Sequence, residues 1–187
     1  MAGLMKKGFT LIETLVVVVC LILVLVSGSS LFLSSIIGSL KVSALKEVRQ
    51  NGQYALKTME DLIKNSQGLV SCSGGVFPTD TSPPKIIVKD SGGNQTTLTL
   101  IEDGGHYKIA SESSGLTYFL TSSKVNIDHF QVDCSDILGS LSEGVPPTVS
   151  LNFTLSQGNL ETDPKYRTAQ MTFNSTVTLR IPFKQVN

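Results

Sequence analysis

The sequence predicts an α+β fold: a long N-terminal helix, transmembrane and then amphipathic, packed on a mainly antiparallel β-sheet domain. Three observations predict it. Residues 15–40 are apolar apart from Ser and Gly, which exceeds the ~20 residues needed to cross a bilayer. From Lys41 onward, apolar residues recur at spacings of three or four as far as Ile63, the stripe of a surface helix. After Gly68 come short alternating runs separated by turns rich in Gly, Asn and Asp, the pattern of antiparallel hairpins.

The helix comes first. Lys6 and Lys7 precede the apolar run, so the positive-inside rule keeps the N-terminus in the cytoplasm and exports the C-terminal part. In the amphipathic half, Leu45, Val48, Gly52, Ala55, Met59, Leu62 and Ile63 form the apolar stripe. Charged and polar residues fill the opposite face, among them Lys46, Arg49, Lys57, Glu60, Asp61 and Lys64. One helix from Phe9 to about residue 66 is expected, ended by Asn65, Ser66 and Gly68. Gly28, with Ser27, Ser29 and Ser30 around it, weakens the helix, since glycine costs up to ~1 kcal/mol relative to alanine. Small residues at that depth also let helices pack closely.

Residues 71–84 are rich in Ser, Gly, Thr and Pro and read as a loop. Strands are expected at 85–90, 95–102, 106–110, 116–120 and 125–133, with the strongest alternation at 148–155 and 170–181. Ser91-Gly92-Gly93-Asn94 and Asp103-Gly104-Gly105 supply turns.

The 187 residues suffice for one domain and an anchor, and 15 Lys plus Arg balance 15 Asp plus Glu. That balance excludes broad electrostatic binding to nucleic acid, and no specific nucleic-acid site is evident. There is no Ser-elbow, P-loop or H-E-x-x-H motif, so the chain is not expected to be an enzyme or to carry a cofactor. His106 and His129 fall in expected strands without a partner at metal spacing. Asp128, Asp133 and Asp136 surround Cys134 without an EF-hand spacing, so no calcium site is expected. Asn94, Asn152 and Asn174 begin N-x-[ST] triplets, which a Ser/Thr-rich chain contains by chance.

Cys20 lies in the apolar run, where a thiol is a small apolar group. Cys72 and Cys134 lie in the exported part, where disulfides persist. Bonded, they would close a loop of about 60 residues and stabilise by roughly 4 kcal/mol in the chain-entropy model. The alternative is two free thiols.

The junction Lys6-Lys7-Gly8-Phe9-Thr10-Leu11-Ile12-Glu13 carries the functional signal. Glu13 puts a carboxylate in the apolar segment, at a cost of about 2.5 kcal/mol or more, so it reads as a functional residue. A secretory signal peptide could be cut near Ser27-Gly28-Ser29, but apolar sequence resumes at Leu31. A lipoprotein signal ending at Cys20 would need a small residue where Val19 stands. A plain signal anchor explains the hydrophobicity and orientation but not Gly8-Phe9-Thr10-Leu11-Ile12-Glu13.

That hexapeptide resembles the class III signal of type IV pilins and type II secretion pseudopilins. The resemblance implies cleavage after Gly8 by a prepilin peptidase, N-methylation of Phe9, and pairing of Glu13 with the N-terminal amine of a neighbouring subunit. It implies a pilin-like fold, with a leader at 1–8, a transmembrane or filament-core helix at 9–40, its amphipathic half at 41–67, and an exported β-rich domain at 68–187. It also implies that residues 27–30 unwind on entry into a filament, as in some pilins. The implied partners are the prepilin peptidase, other pilin or pseudopilin subunits, an assembly-platform membrane protein and the lipid bilayer. The chain would sit in the cytoplasmic membrane and then in a pilus or pseudopilus. Arg49-Gln50-Asn51-Gly52-Gln53-Tyr54-Ala55-Leu56 and the stretch 171–180 look like segments of J-type minor pseudopilins and W-type minor pilins, which leans the reading toward a minor subunit. The alternatives are a DNA-uptake pseudopilin and a membrane-anchored extracellular binding domain that does not polymerise.

Overall fold

The computed structural model of the protein describes residues 10–90, 92–134, 148–159 and 161–179. Helix α1 runs Leu11–Lys64. The chain divides into two compact units, Met1–Leu40 and Lys41–Asn187.

In the first unit every helical residue from 11 to 40 is exposed. The helix continues through Gly28 and Gly38 without a break. Four of its serines, Ser27, Ser29, Ser30 and Ser34, turn their hydroxyls inward along the backbone. Ser27 and Ser29 donate to the Leu23 and Leu25 carbonyls at 2.8 Å, and Ser34 donates to the Ser30 carbonyl at 3.0 Å. Each hydroxyl donor is thereby satisfied within the helix, which lets polar residues sit in an apolar surface.

The second unit joins the rest of α1 to nine strands among the described residues. These are β1 (Gly68–Ser73), β2 (Gly75–Phe77), β3 (Lys85–Lys89), β4 (Gln95–Asp103), β5 (His106–Ser113), β6 (Leu116–Phe119), β7 (Asn126–Asp133), β8 (Thr148–Gln157) and β9 (Ala169–Thr178). They form two sheets, β1-β3-β4-β5-β6 and β2-β7-β8-β9. Every strand pair is antiparallel. The helix on a mainly antiparallel β domain is the α+β fold that the sequence predicts.

Three details differ from the sequence reading. The buried face of α1 is Ala44, Val48, Gly52, Ala55, Met59 and Ile63. Leu45 is 36% exposed, because Ala44 lies on the four-residue line through Val48 and Gly52 while Leu45 is a further ~100° round. The helix ends at Lys64 instead of about 66. There the Ser66 hydroxyl donates to the Ile63 carbonyl at 2.8 Å, and the Gln67 amide donates to the Lys89 carbonyl at 2.7 Å. The chain has therefore joined a sheet before Gly68.

The third difference is larger. Within the loop expected at 71–84, residues 71–73 belong to β1 and residues 75–77 form β2, each strand at the edge of a different sheet. Edge strands need no alternating burial, so Ser- and Gly-rich sequence can form them by pairing alone. Gly74 is where the chain passes from one sheet to the other. A Cβ there would meet the Val132 carbonyl oxygen at 3.2 Å.

The core is continuous from helix to both sheets. Met59 and Ile63 of α1 are fully buried, as are Ile86, Leu98 and Ile109 of one sheet and Phe130, Leu151, Phe153 and Leu155 of the other. Phe153 stacks on Phe173 at 5.3 Å between ring centroids. Above Phe173 the helix carries Gly52, where an added Cβ would collide with the ring. Residues 49–56 of the helix and the middle of β9 thus meet at this contact.

Candidate functional site

Glu13 sits in the first turn of α1. A carboxylate there faces the positive end of the helix dipole, a favourable placement worth a fraction of a kcal/mol at an exposed site. The turn is closed by backbone bonds from Glu13 and Thr14 amides to the Thr10 carbonyl at 3.0 and 3.2 Å. The Thr14 hydroxyl donates to the Leu11 carbonyl at 2.8 Å. Among the described residues Glu13 has no cationic partner. Gly8 and Phe9, the residues expected at the cleavage and methylation site, lie outside the described residues.

The apolar helix following Glu13 is long enough, and apolar enough, to cross a membrane. Leu15, Val16, Leu21, Ile22, Leu25, Leu31 and Phe32 are each more than half exposed. Cys20 is exposed among them as a free thiol. A surface of this kind far exceeds the apolar patches that soluble monomers tolerate. Its physical requirement is lipid, other helices, or both.

The structure joins Cys72 and Cys134 in a disulfide with Cα atoms 6.3 Å apart. Cys72 lies in β1, paired with Ile86 of β3, and Cys134 follows β7. The bond therefore ties the edge of the five-stranded sheet to a strand of the four-stranded one.

The remaining candidates separate. Asp128 and Asp133 are the third and last residues of β7, and Asp136 lies outside the described residues. The Asp128 carboxylate accepts from the Asn126 amide at 2.9 Å, the Ser156 hydroxyl at 2.8 Å and the Gln170 amide at 3.1 Å. It locks three strands of the second sheet. Among the described residues no three His, Cys, Asp or Glu gather where they could hold a metal ion. His106 and His129 stand in β5 and β7.

Sequence reasoning missed the polar residues that hold the helix to the domain. Asn51 donates to the Glu47 carbonyl at 2.9 Å and accepts from the Ser122 amide at 2.8 Å. Glu60 accepts from the Ser175 hydroxyl at 2.5 Å and from Lys64 at 2.9 Å. These bonds hold its carboxyl below the usual carboxylate range, the Ser175 bond contributing most. Lys41 donates to the Lys165 and Thr168 carbonyls at 2.9 and 2.5 Å. Periodicity marks Glu60 and Lys41 only as solvated charges, because Ser175, Lys165 and Thr168 are more than 100 residues away. Comparison with protein-family models, curated proteins and solved structures finds no match.

Proposed function

We propose that the chain is a structural subunit of a pilin-type filament, a minor pilin or pseudopilin. In this reading a prepilin peptidase cuts after Gly8 and methylates Phe9, and the mature subunit assembles through its N-terminal helix. The observation that carries it is the sequence Gly8-Phe9-Thr10-Leu11-Ile12-Glu13 set directly before the apolar helix. The exposure of every residue from 11 to 40 supports it, because a filament core supplies the partners such a surface needs. The packing of residues 41–64 on an antiparallel β domain supports it as well.

The mechanism is electrostatic. Cleavage creates a cationic amine at Phe9, and Glu13 of one subunit is drawn to the amine of the next. Each charge alone is costly in a low-dielectric surround, and pairing offsets much of that cost. The pair therefore fixes the register between neighbouring helices, while the apolar side chains supply packing.

Intact mass spectrometry of the membrane-extracted protein, expressed with and without a prepilin peptidase, tests the reading. The expected result is a peptidase-dependent loss of residues 1–8, with a methyl group on Phe9. An unchanged mass with active peptidase present would reject it and leave a membrane-anchored exported domain.

A further inference from the structure

Lys41 is the first charged residue after the apolar run, and its ammonium is committed to a loop of its own domain. That loop joins β8 to β9. Its last part is a fixed turn: the Arg167 amide donates to the Pro164 carbonyl at 2.8 Å, and Thr168 is 5% exposed. On the turn, Lys165 and Arg167 are exposed and Tyr166 is half-buried. The Arg167 guanidinium lies 5.9 Å from the centroid of the Tyr166 ring. The loop's two carboxylates belong to its first half. Asp163 is folded back to accept from the Asn159 amide at 2.7 Å, and Glu161 lies two residues before it. The half that Lys41 holds is therefore cationic and aromatic.

Lys41 directly follows Leu40, the last residue of the apolar run. If residues 11–40 cross a bilayer, Lys41 is the first charge on the headgroup side of the far boundary, and the turn bonded to it lies beside that charge. Tyrosine is enriched at that boundary, and Lys and Arg are attracted to anionic leaflets. Arginine adds a planar fork that matches phosphate oxygens. We infer that the Lys165-Tyr166-Arg167 turn docks on the anionic phospholipid headgroups of the bilayer that holds residues 11–40. The inference rests on the membrane-spanning part of the proposed function and not on cleavage or polymerisation. Docking would hold the domain against the membrane surface.

The chain contains no tryptophan, so Tyr166→Trp installs a single reporter in the full-length protein. The protein is placed in nanodiscs of phosphatidylcholine alone or mixed with phosphatidylglycerol, with a headgroup spin label as quencher. Pro164→Trp, at an exposed neighbouring position, guards against a folding effect at Tyr166. Leu21→Trp with an acyl-chain quencher reports on the anchor.

Quenching at position 166 is expected in the anionic discs and should fall as salt is raised. Each basic residue contributes about fivefold to surface association. The Lys165→Gln/Arg167→Gln pair should therefore weaken docking by about 25-fold at low salt. Lys41→Met should also reduce quenching, with both turn charges still present. Equal quenching in the two lipid compositions would overturn the inference, because the charges would then recognise nothing. Absence of quenching at both 164 and 166, with Leu21→Trp quenched, would overturn it and leave the anchor intact. An unquenched Leu21→Trp would remove the anchor and the inference together.

Discussion

Gly52 shows how one residue can decide a helix–sheet contact. Its position in the buried stripe follows from spacing alone, but the need for glycine does not. That need comes from the Phe173 ring, which occupies the space of a Cβ, and Phe173 is 121 residues further along the chain. Gly52→Ala gains up to ~1 kcal/mol in helix propensity but forces the ring or the helix to move, at about 1–3 kcal/mol. A net loss of stability is expected in denaturant unfolding, with partial recovery when Phe173→Leu is added. A Gly52→Ala protein more stable than the parent would show that the contact is not tight. Glu60 gives a pH-dependent counterpart. Its folded-state pKa is lowered, so the Ser175 bond stabilises above the unfolded value near 4.5 and that contribution fades as pH falls through the folded value. Ser175→Ala should cost about 1 kcal/mol at neutral pH, and the gap from the parent should close in acid. A gap that is constant with pH would mean that the bond does not favour the ionised carboxyl.

The elements were legible where burial is one-sided. The apolar run, the amphipathic stripe and the hairpins with Gly-containing turns each impose a period, and each forms close to where it was expected. Strand β9 shows the mechanism, with Ala169, Phe173 and Val177 buried and Gln170, Thr172, Asn174 and Thr176 exposed. β1 and β2 were not legible because their formation depends on β3 and β7 and on the switch at Gly74. The division into two sheets was hidden for the same reason, since no local pattern records which edge a strand joins. Cys72 and Cys134 were legible as a candidate pair, with two free thiols as the alternative, and the structure bonds them. Its structural consequence, a tie between two sheets, needed the topology. For a loop of 62 residues the chain-entropy model gives roughly 4 kcal/mol. Cys72→Ser/Cys134→Ser should therefore lower the free energy of unfolding by about 2–5 kcal/mol. β1 should lose amide-exchange protection before β4 and β5, which pair across eight residues. Unaltered protection in β1 would show that pairing with β3 holds that edge without the bond.

At the scale of the whole molecule, the tension is between Glu13 and the apolar surface that follows it. Residues 11–40 gain by entering a hydrocarbon or a helix-lined core, and Glu13 opposes this until a cation meets it. Glu13→Ala removes that opposition, so membrane insertion of the single subunit should be unchanged or slightly improved. On the proposed filament reading, removal of residues 1–8 should also survive, because the substitution lies five residues beyond Gly8. On the same reading, what would be lost is the partner for the next subunit's N-terminal amine, and with it the energetic distinction between one helical register and its neighbours. A difference of about 1.4 kcal/mol is tenfold in an equilibrium, and an unpaired amine in the core costs at least that. Recovery of the variant in sheared filaments should therefore fall tenfold or more relative to the parent, while its processed mass in the membrane fraction stays the same. Both quantities come from one preparation, so a processing defect and an assembly defect cannot be confused. Equal recovery of processed Glu13→Ala and parent protein would mean that packing of the apolar helix alone sets the register, and the charge pair would then have no part in assembly.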